Sequence, residues 1–152
     1  MKFTKSQQEQ LAKFAKKNSL RHIILFGSQA KKGKAVIRTD SDFDIAVLTM
    51  PEKNISNFDN YSSVLSGLVK ILGIPDHQID LTNLNEANIL LRYEVTSEGE
   101  LLYGDADEYE NYKGFAFRDY IDAKPLFDLE SLLVYKRIAL IKQAIEEAAQ
   151  TI

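Results

Sequence analysis

Apolar positions change their spacing several times along this chain, and each change marks an element. Behind a Thr4–Gln7 capping box, Leu11, Phe14 and Ala15 share one face of the stretch Gln8 to Lys17, which predicts a helix. His22-Ile23-Ile24-Leu25-Phe26 is short, apolar and β-branched, and it stops at Gly27-Ser28 as a buried strand does. Asp42-Phe43-Asp44 alternates acid with apolar and then runs fully apolar from Ile45 to Leu48. That is the pattern of a central strand whose first part emerges at an open edge of the core, and Pro51 ends it.

From Asn57 onward Phe58, Tyr61, Val64, Leu65, Leu68, Val69 and Leu72 keep helical spacing, with Gly73 and Pro75 as stops. Gln78-Ile79-Asp80-Leu81 alternates again and predicts a third strand. Asn85 is placed to cap a helix reaching roughly Ser97, and Glu100 to Tyr103 reads as a short fourth strand between Gly99 and Gly104. The remainder is rich in helix formers and predicts two helices broken near Pro125. The aromatic set Tyr109, Tyr112, Phe115, Phe117 and Tyr120 is expected to pack between helices, with a partner surface as the alternative. This order predicts one α/β domain over residues 1–152, a mixed sheet flanked by helices, with a helical extension from about residue 108.

Composition narrows the chemistry. Lys+Arg 19 against Asp+Glu 22 gives a net charge of -3, so no global positive field gathers nucleic acid, and none is expected as a direct partner. With no cysteine, disulfides, thiolate nucleophiles and Cys-type zinc sites are excluded. His22 and His77 are too few for most zinc sites and are expected at a core edge and in a loop. Met1 to Leu20 lacks the apolar run of a signal peptide, and no later segment reaches the ~20 apolar residues of a membrane span. A soluble, cytoplasmic protein is the expectation.

The candidate chemistry lies where three strands would meet. Asp42 and Asp44, two apart on a strand, emerge on the same face, where two repelling carboxylates need a compensating cation such as Mg²⁺. Gly27 allows a tight turn without a side chain, and Ser28 with the following N–H groups can hold phosphate oxygens. Asp80, flanked by Ile79 and Leu81, points away from them and joins the acidic face if its strand is a neighbour. There it completes a metal ligand set or accepts the proton of an attacking hydroxyl. Asp40 is assigned to the loop. No Walker-type phosphate loop and no Gly-x-Gly-x-x-Gly segment occurs.

Leu25-Phe26-Gly27-Ser28-Gln29-Ala30, followed by Ser41-Asp42-Phe43-Asp44-Ile45-Ala46-Val47, resembles the Gly-Ser and Asp-x-Asp signature of the polymerase β-like nucleotidyltransferases. The short members, the minimal nucleotidyltransferases or MNT proteins, resemble the chain best. Many of them act as antitoxins paired with a helical HEPN-domain RNase toxin. The resemblance implies that Gly27 and Ser28 bind nucleotide phosphates, that Asp42 and Asp44 bind Mg²⁺, and that Asp80 is the third catalytic carboxylate and metal ligand. It further implies two Mg²⁺ ions, ATP as substrate, and a HEPN toxin tyrosine as acceptor of AMP. The Ser28-to-Asp42 spacer is longer than the common pattern, and Gln29 stands where an Arg is frequent, leaving Lys31, Lys32, Lys34 or Arg38 to substitute. The alternatives are transfer to an aminoglycoside-like molecule or an RNA end, and a non-catalytic antitoxin that neutralises its toxin by binding alone.

Overall fold

The computed structural model describes residues 4–30 and 42–150, so Asp40 and the basic stretch 31–38 lie outside the described residues. The chain divides into two compact units, Met1–Phe117 and Arg118–Ile152.

The first unit is built on a four-stranded sheet. Helix α1 (Lys5–Lys17) starts at Thr4, whose side chain accepts from the Gln7 N–H while the Gln7 side chain accepts from the Thr4 N–H. Strand β1 (Leu20–Phe26) follows, then a single 3₁₀ turn at Gly27–Gln29. Strand β2 (Phe43–Thr49) leads to α2 (Phe58–Leu72), capped by Asn57. Strand β3 (Ile79–Asn83), α3 (Ile89–Glu98) and β4 (Glu100–Tyr103) complete the sheet, in the order β3-β2-β1-β4. β1 runs antiparallel to β2 and to β4, whereas β2 and β3 are parallel, so the sheet is mixed as expected.

Period-2 alternation divides the core between the two faces. Ile23, Leu25, Ile45, Val47 and Leu81 pack with residues of α1 and α2, including Leu11, Val64 and Leu68. On the opposite face Ile24, Ala46 and Leu48 pack with Leu84, with Val95 of α3 and with Tyr109 of the next helix. Each large apolar side chain buried in these clusters stabilises the unit by ~1.5–3 kcal/mol.

Two local expectations are corrected. Asn85 does not cap α3; Asn88 does, accepting from the Leu91 N–H at 2.8 Å. Asn85 instead accepts from the Thr49 N–H at 2.9 Å and so ties down the end of β2. Nor is there a break at Pro125, because α4 runs from Ala106 to Gln150 with Pro125 inside it. Proline leaves the carbonyl of Ile121 without its helical donor, at a cost of about 3 kcal/mol. In an exposed stretch flanked by strong helix formers, that carbonyl can turn to water and the helix continues. Among the described residues no helix is long and apolar enough to cross a membrane.

Candidate active site

The sheet brings two of the expected side chains, Asp44 and Asp80, to one end and one face. Asp44 pairs with Phe26 of β1 on one side and with Asp80 of β3 on the other. Its neighbours Phe43 and Ile45 turn toward α1 and α2, so Asp44 shares a face with Ala46 and lies toward α3. Asp80 sits directly opposite in parallel register between buried Ile79 and Leu81, which places the two carboxylates on neighbouring strands about 4.8 Å apart. Asp42 is exposed and lies just before β2 rather than within it.

Gly27 follows Phe26 and therefore stands beside Asp44. Its φ of +68° lies in the left-handed region, and a Cβ built there would overlap Oδ2 of Asp44. Two independent requirements thus fall on one residue: a turn that L side chains rarely adopt, and a notch left open for a carboxylate. Ser28 is exposed on the 3₁₀ turn.

The electrostatics follow from this packing. Partial burial raises the Asp44 pKa above the usual carboxylate range, and the charges of Asp80, Asp42 and Glu94 raise it further. Glu94 was not singled out in the sequence. It lies on α3 next to Val95, which is fully buried against the Ile24–Ala46 pair, and it looks over the sheet end where Asp44 stands. Its only sequence signal is its place one residue before an inward valine, legible once α3 is known to cross this face.

Among the described residues no group of three or more His, Asp or Glu side chains is gathered as a ready-made metal cage. The acids instead form an open row. A cavity of about 470 Å³ lies elsewhere, between the outer side of α2 and the Pro75–Asp76 turn.

His22 is not at a core edge. Its side chain is fully buried, and neither ring nitrogen has a hydrogen-bond partner among the described residues. Burial lowers its pKa, Arg21 adds to that, and Glu108 and Asp105 act in the opposite sense. The ring lies 5.6 Å from that of Tyr109, whose hydroxyl is pushed up to about 12 by its own burial. His22 pairs with Leu48, four residues along β1 from the Phe26–Asp44 pair, or about 13 Å away. It is too distant to act with the carboxylates. His77 is exposed in the turn before β3, as expected. In the aromatic set Tyr109 is buried, while Phe115 and Phe117 are exposed, so core packing accounts for the first and not for the last two.

A family model described as "Polymerase beta, Nucleotidyltransferase" matches residues 9–108, which include Gly27, Ser28, Asp42, Asp44 and Asp80. No curated protein matches the chain. Among solved structures, a chain of a toxin–antitoxin complex with AMP-PNP superimposes with a TM-score of 0.61 at 23% identity, covering 83% of this chain and 98% of that one. A chain of the complex between a tri-AMPylated Shewanella oneidensis HEPN toxin and its MNT antitoxin gives 0.57 at 21%, covering 84% and 96%. A chain of the MntA–HepT toxin–antitoxin complex gives 0.58 at 22%, covering 86% and 99%.

Proposed function

Since the chain belongs to the polymerase beta nucleotidyltransferase family, we propose that it transfers the AMP part of ATP to a hydroxyl group, a tyrosine of a HEPN-type RNase toxin, and so acts as that toxin's antitoxin. The observation that carries this reading is the register pair Asp44 and Asp80, with the charge of Asp42 acting on Asp44 from just ahead of β2, beside the Cβ-free notch of Gly27. Support for the nucleotide and partner comes from the similar folds, one in a complex that holds AMP-PNP and one in a complex whose toxin is tri-AMPylated.

The residues fit Mg²⁺. Asp44 is disfavoured as an anion by burial and by its acidic neighbours, so a hard cation on this row relieves a repulsion that the fold otherwise carries. Asp42, Asp44 and Asp80 would hold it, with phosphate oxygens and water completing the ligand set, and when bound it neutralises phosphate charge and polarises phosphoryl oxygens.

The chain's own residues do the rest. Gly27 lets a phosphate approach the carboxylate row without a side chain in the way, and the exposed Ser28 hydroxyl donates to a phosphate oxygen. The acceptor oxygen attacks the α-phosphorus in line. Its proton passes to a carboxylate, with Asp80 the most accessible of the paired acids, and pyrophosphate leaves with the electron pair of the broken P–O bond.

The test is to incubate the protein with ATP, Mg²⁺ and the product of the neighbouring gene. Intact-mass spectrometry should show the neighbour gaining whole adenylyl units, fragmentation should place them on tyrosine, and the Asp44→Asn variant should add none. Neutralisation without a mass change would leave an antitoxin acting by binding alone. Adenylylation of an aminoglycoside in place of the neighbour would keep the enzyme and remove the antitoxin role.

A further inference from the structure

The second unit is helical through Gln150, and its apolar residues face solvent. Leu126, Leu129, Leu132, Leu133, Val134, Tyr135, Ile138, Leu140, Ile141 and Ile145 are each 48–72% exposed. Without Leu132 and Tyr135, which lie on the other side of the helix, the remaining eight at roughly 100 Å² apiece present on the order of 800 Å², against about 800 Å² per partner in a stable interface and a few hundred in an ordinary surface patch. The area matches what an association requires.

The pattern says what kind of association. At about 100° per residue, Leu126, Leu129, Leu133 and Leu140 form one stripe, and Phe127, Val134, Ile138, Ile141 and Ile145 form a second about 120° away. Glu130 and Arg137 are seven residues apart, so they lie on one line, and that line runs midway between the stripes. An apolar face interrupted along its centre by one acid and one base is complementary to itself. A parallel pair of such helices would set like charges against each other, whereas an antiparallel pair matches each acid with a base.

We propose that this helix pairs with the same helix of a second copy of the chain, antiparallel, about a twofold axis passing between Leu133 and Val134. Glu130 of each copy then stands level with Arg137 of the other, twice over, and Leu129 comes level with Ile138 and Leu126 with Ile141. Ala144, beside the same central line, allows the backbones to approach closely. The pairing does not depend on the transfer chemistry.

Sedimentation equilibrium of the full chain should show a dimer. Arg137→Glu should weaken it by on the order of a hundredfold, since two charge-assisted contacts become repulsive, and the double variant Glu130→Arg/Arg137→Glu should restore it. Both residues are good helix formers, so helix content by circular dichroism should not change. The chain has no cysteine, so a single Val134→Cys reports on the axis: mild oxidation should link it, and Ala149→Cys should stay unlinked. A wild-type chain that remains monomeric at ~100 μM, a double variant as weak as the single one, cross-linking through Ala149→Cys, or association only with a different protein would each overturn the pairing.

Discussion

At the Phe26–Asp44 end of the β1–β2 pair and at the His22–Leu48 end, a glycine stands against a titratable side chain. Gly27, at φ +68°, leaves space for the Asp44 carboxylate, and Gly104, at φ +138°, leaves space for the Nδ1 edge of His22. The surroundings then diverge. Asp44 is half-buried and adjoins further acids, so its charged form is disfavoured yet remains within reach of solvent. His22 is fully buried beside the rings of Tyr109 and Tyr112, and its charged form is disfavoured. A neutral imidazole in such a place is compatible with packing alone. Like-charged carboxylates in register raise the energy of the folded chain.

The comparison breaks most sharply on activity. Asp44→Asn should lower AMP transfer by on the order of a thousandfold or more, measured with α-labelled ATP, because charge at the reacting phosphate loses its support. Full activity in that variant would put the two ends on an equal footing. At the other end Gly104→Ala should leave transfer intact but destabilise the protein by about 2–4 kcal/mol in urea titration, since its Cβ meets the His22 ring and the Arg21 carbonyl oxygen at 2.9 Å. Pairing it with His22→Ala should recover part of the loss, and strict additivity of the two changes would show that the ring is not what the Cβ meets.

The remaining effects are smaller and opposite in sign. The His22 pKa is lowered in the fold from its ordinary value of 6.5, so the unfolded chain binds the proton first. Its contribution to stability is complete above that value and is lost as pH falls toward the lowered folded value, with a slope of up to about 1.4 kcal/mol per pH unit. His22→Leu should flatten the slope. Asp44, whose pKa is raised, works the other way: its contribution is complete below the ordinary carboxylate range and is lost as pH rises through the folded value. Without Mg²⁺, Asp44→Asn should therefore be slightly more stable than wild type at pH 7, and the gain should vanish below the ordinary carboxylate range. Thermal melts across pH would check both signs.

Much of this could be read from residue order because it depends on neighbours. The apolar run to Phe26, the acid/apolar alternation from Asp42 and the Thr4 and Asn57 caps are short-range signals, and the structure places strands and helices on them. The side-by-side position of Asp44 and Asp80 needed one further assumption, that β2 and β3 pair, and their parallel register meets it. What escaped the sequence depends on contacts across the sheet. Glu94 joins the acidic end only because α3 crosses that face, and no local period shows a crossing. The burial of His22 was legible in part, since Leu20, His22 and Ile24 alternate with exposed Arg21, but the rings that seal it come from a helix more than eighty residues later. Asn85 and Asn88 are both good caps, and the hydrogen bond from Thr49 to Asn85 decided between them. At Pro125 the local rule misled, because a proline's cost can be borne where the freed carbonyl faces solvent.

That same proline bears on how the second unit behaves over time. From Arg118 on, this helix has one ladder bond missing and its large apolar side chains mostly in water, and helices without a packed face open on fast timescales. Amide hydrogens of residues 118–150 should exchange quickly in dilute protein and slowly when the helix is covered, while those of β1 and β2 should exchange slowly at any concentration. Order in this stretch becomes a matter of mass action. At low abundance residues 118–150 would be open to proteases and at high abundance covered, so the protein's lifetime would depend on how much of it there is.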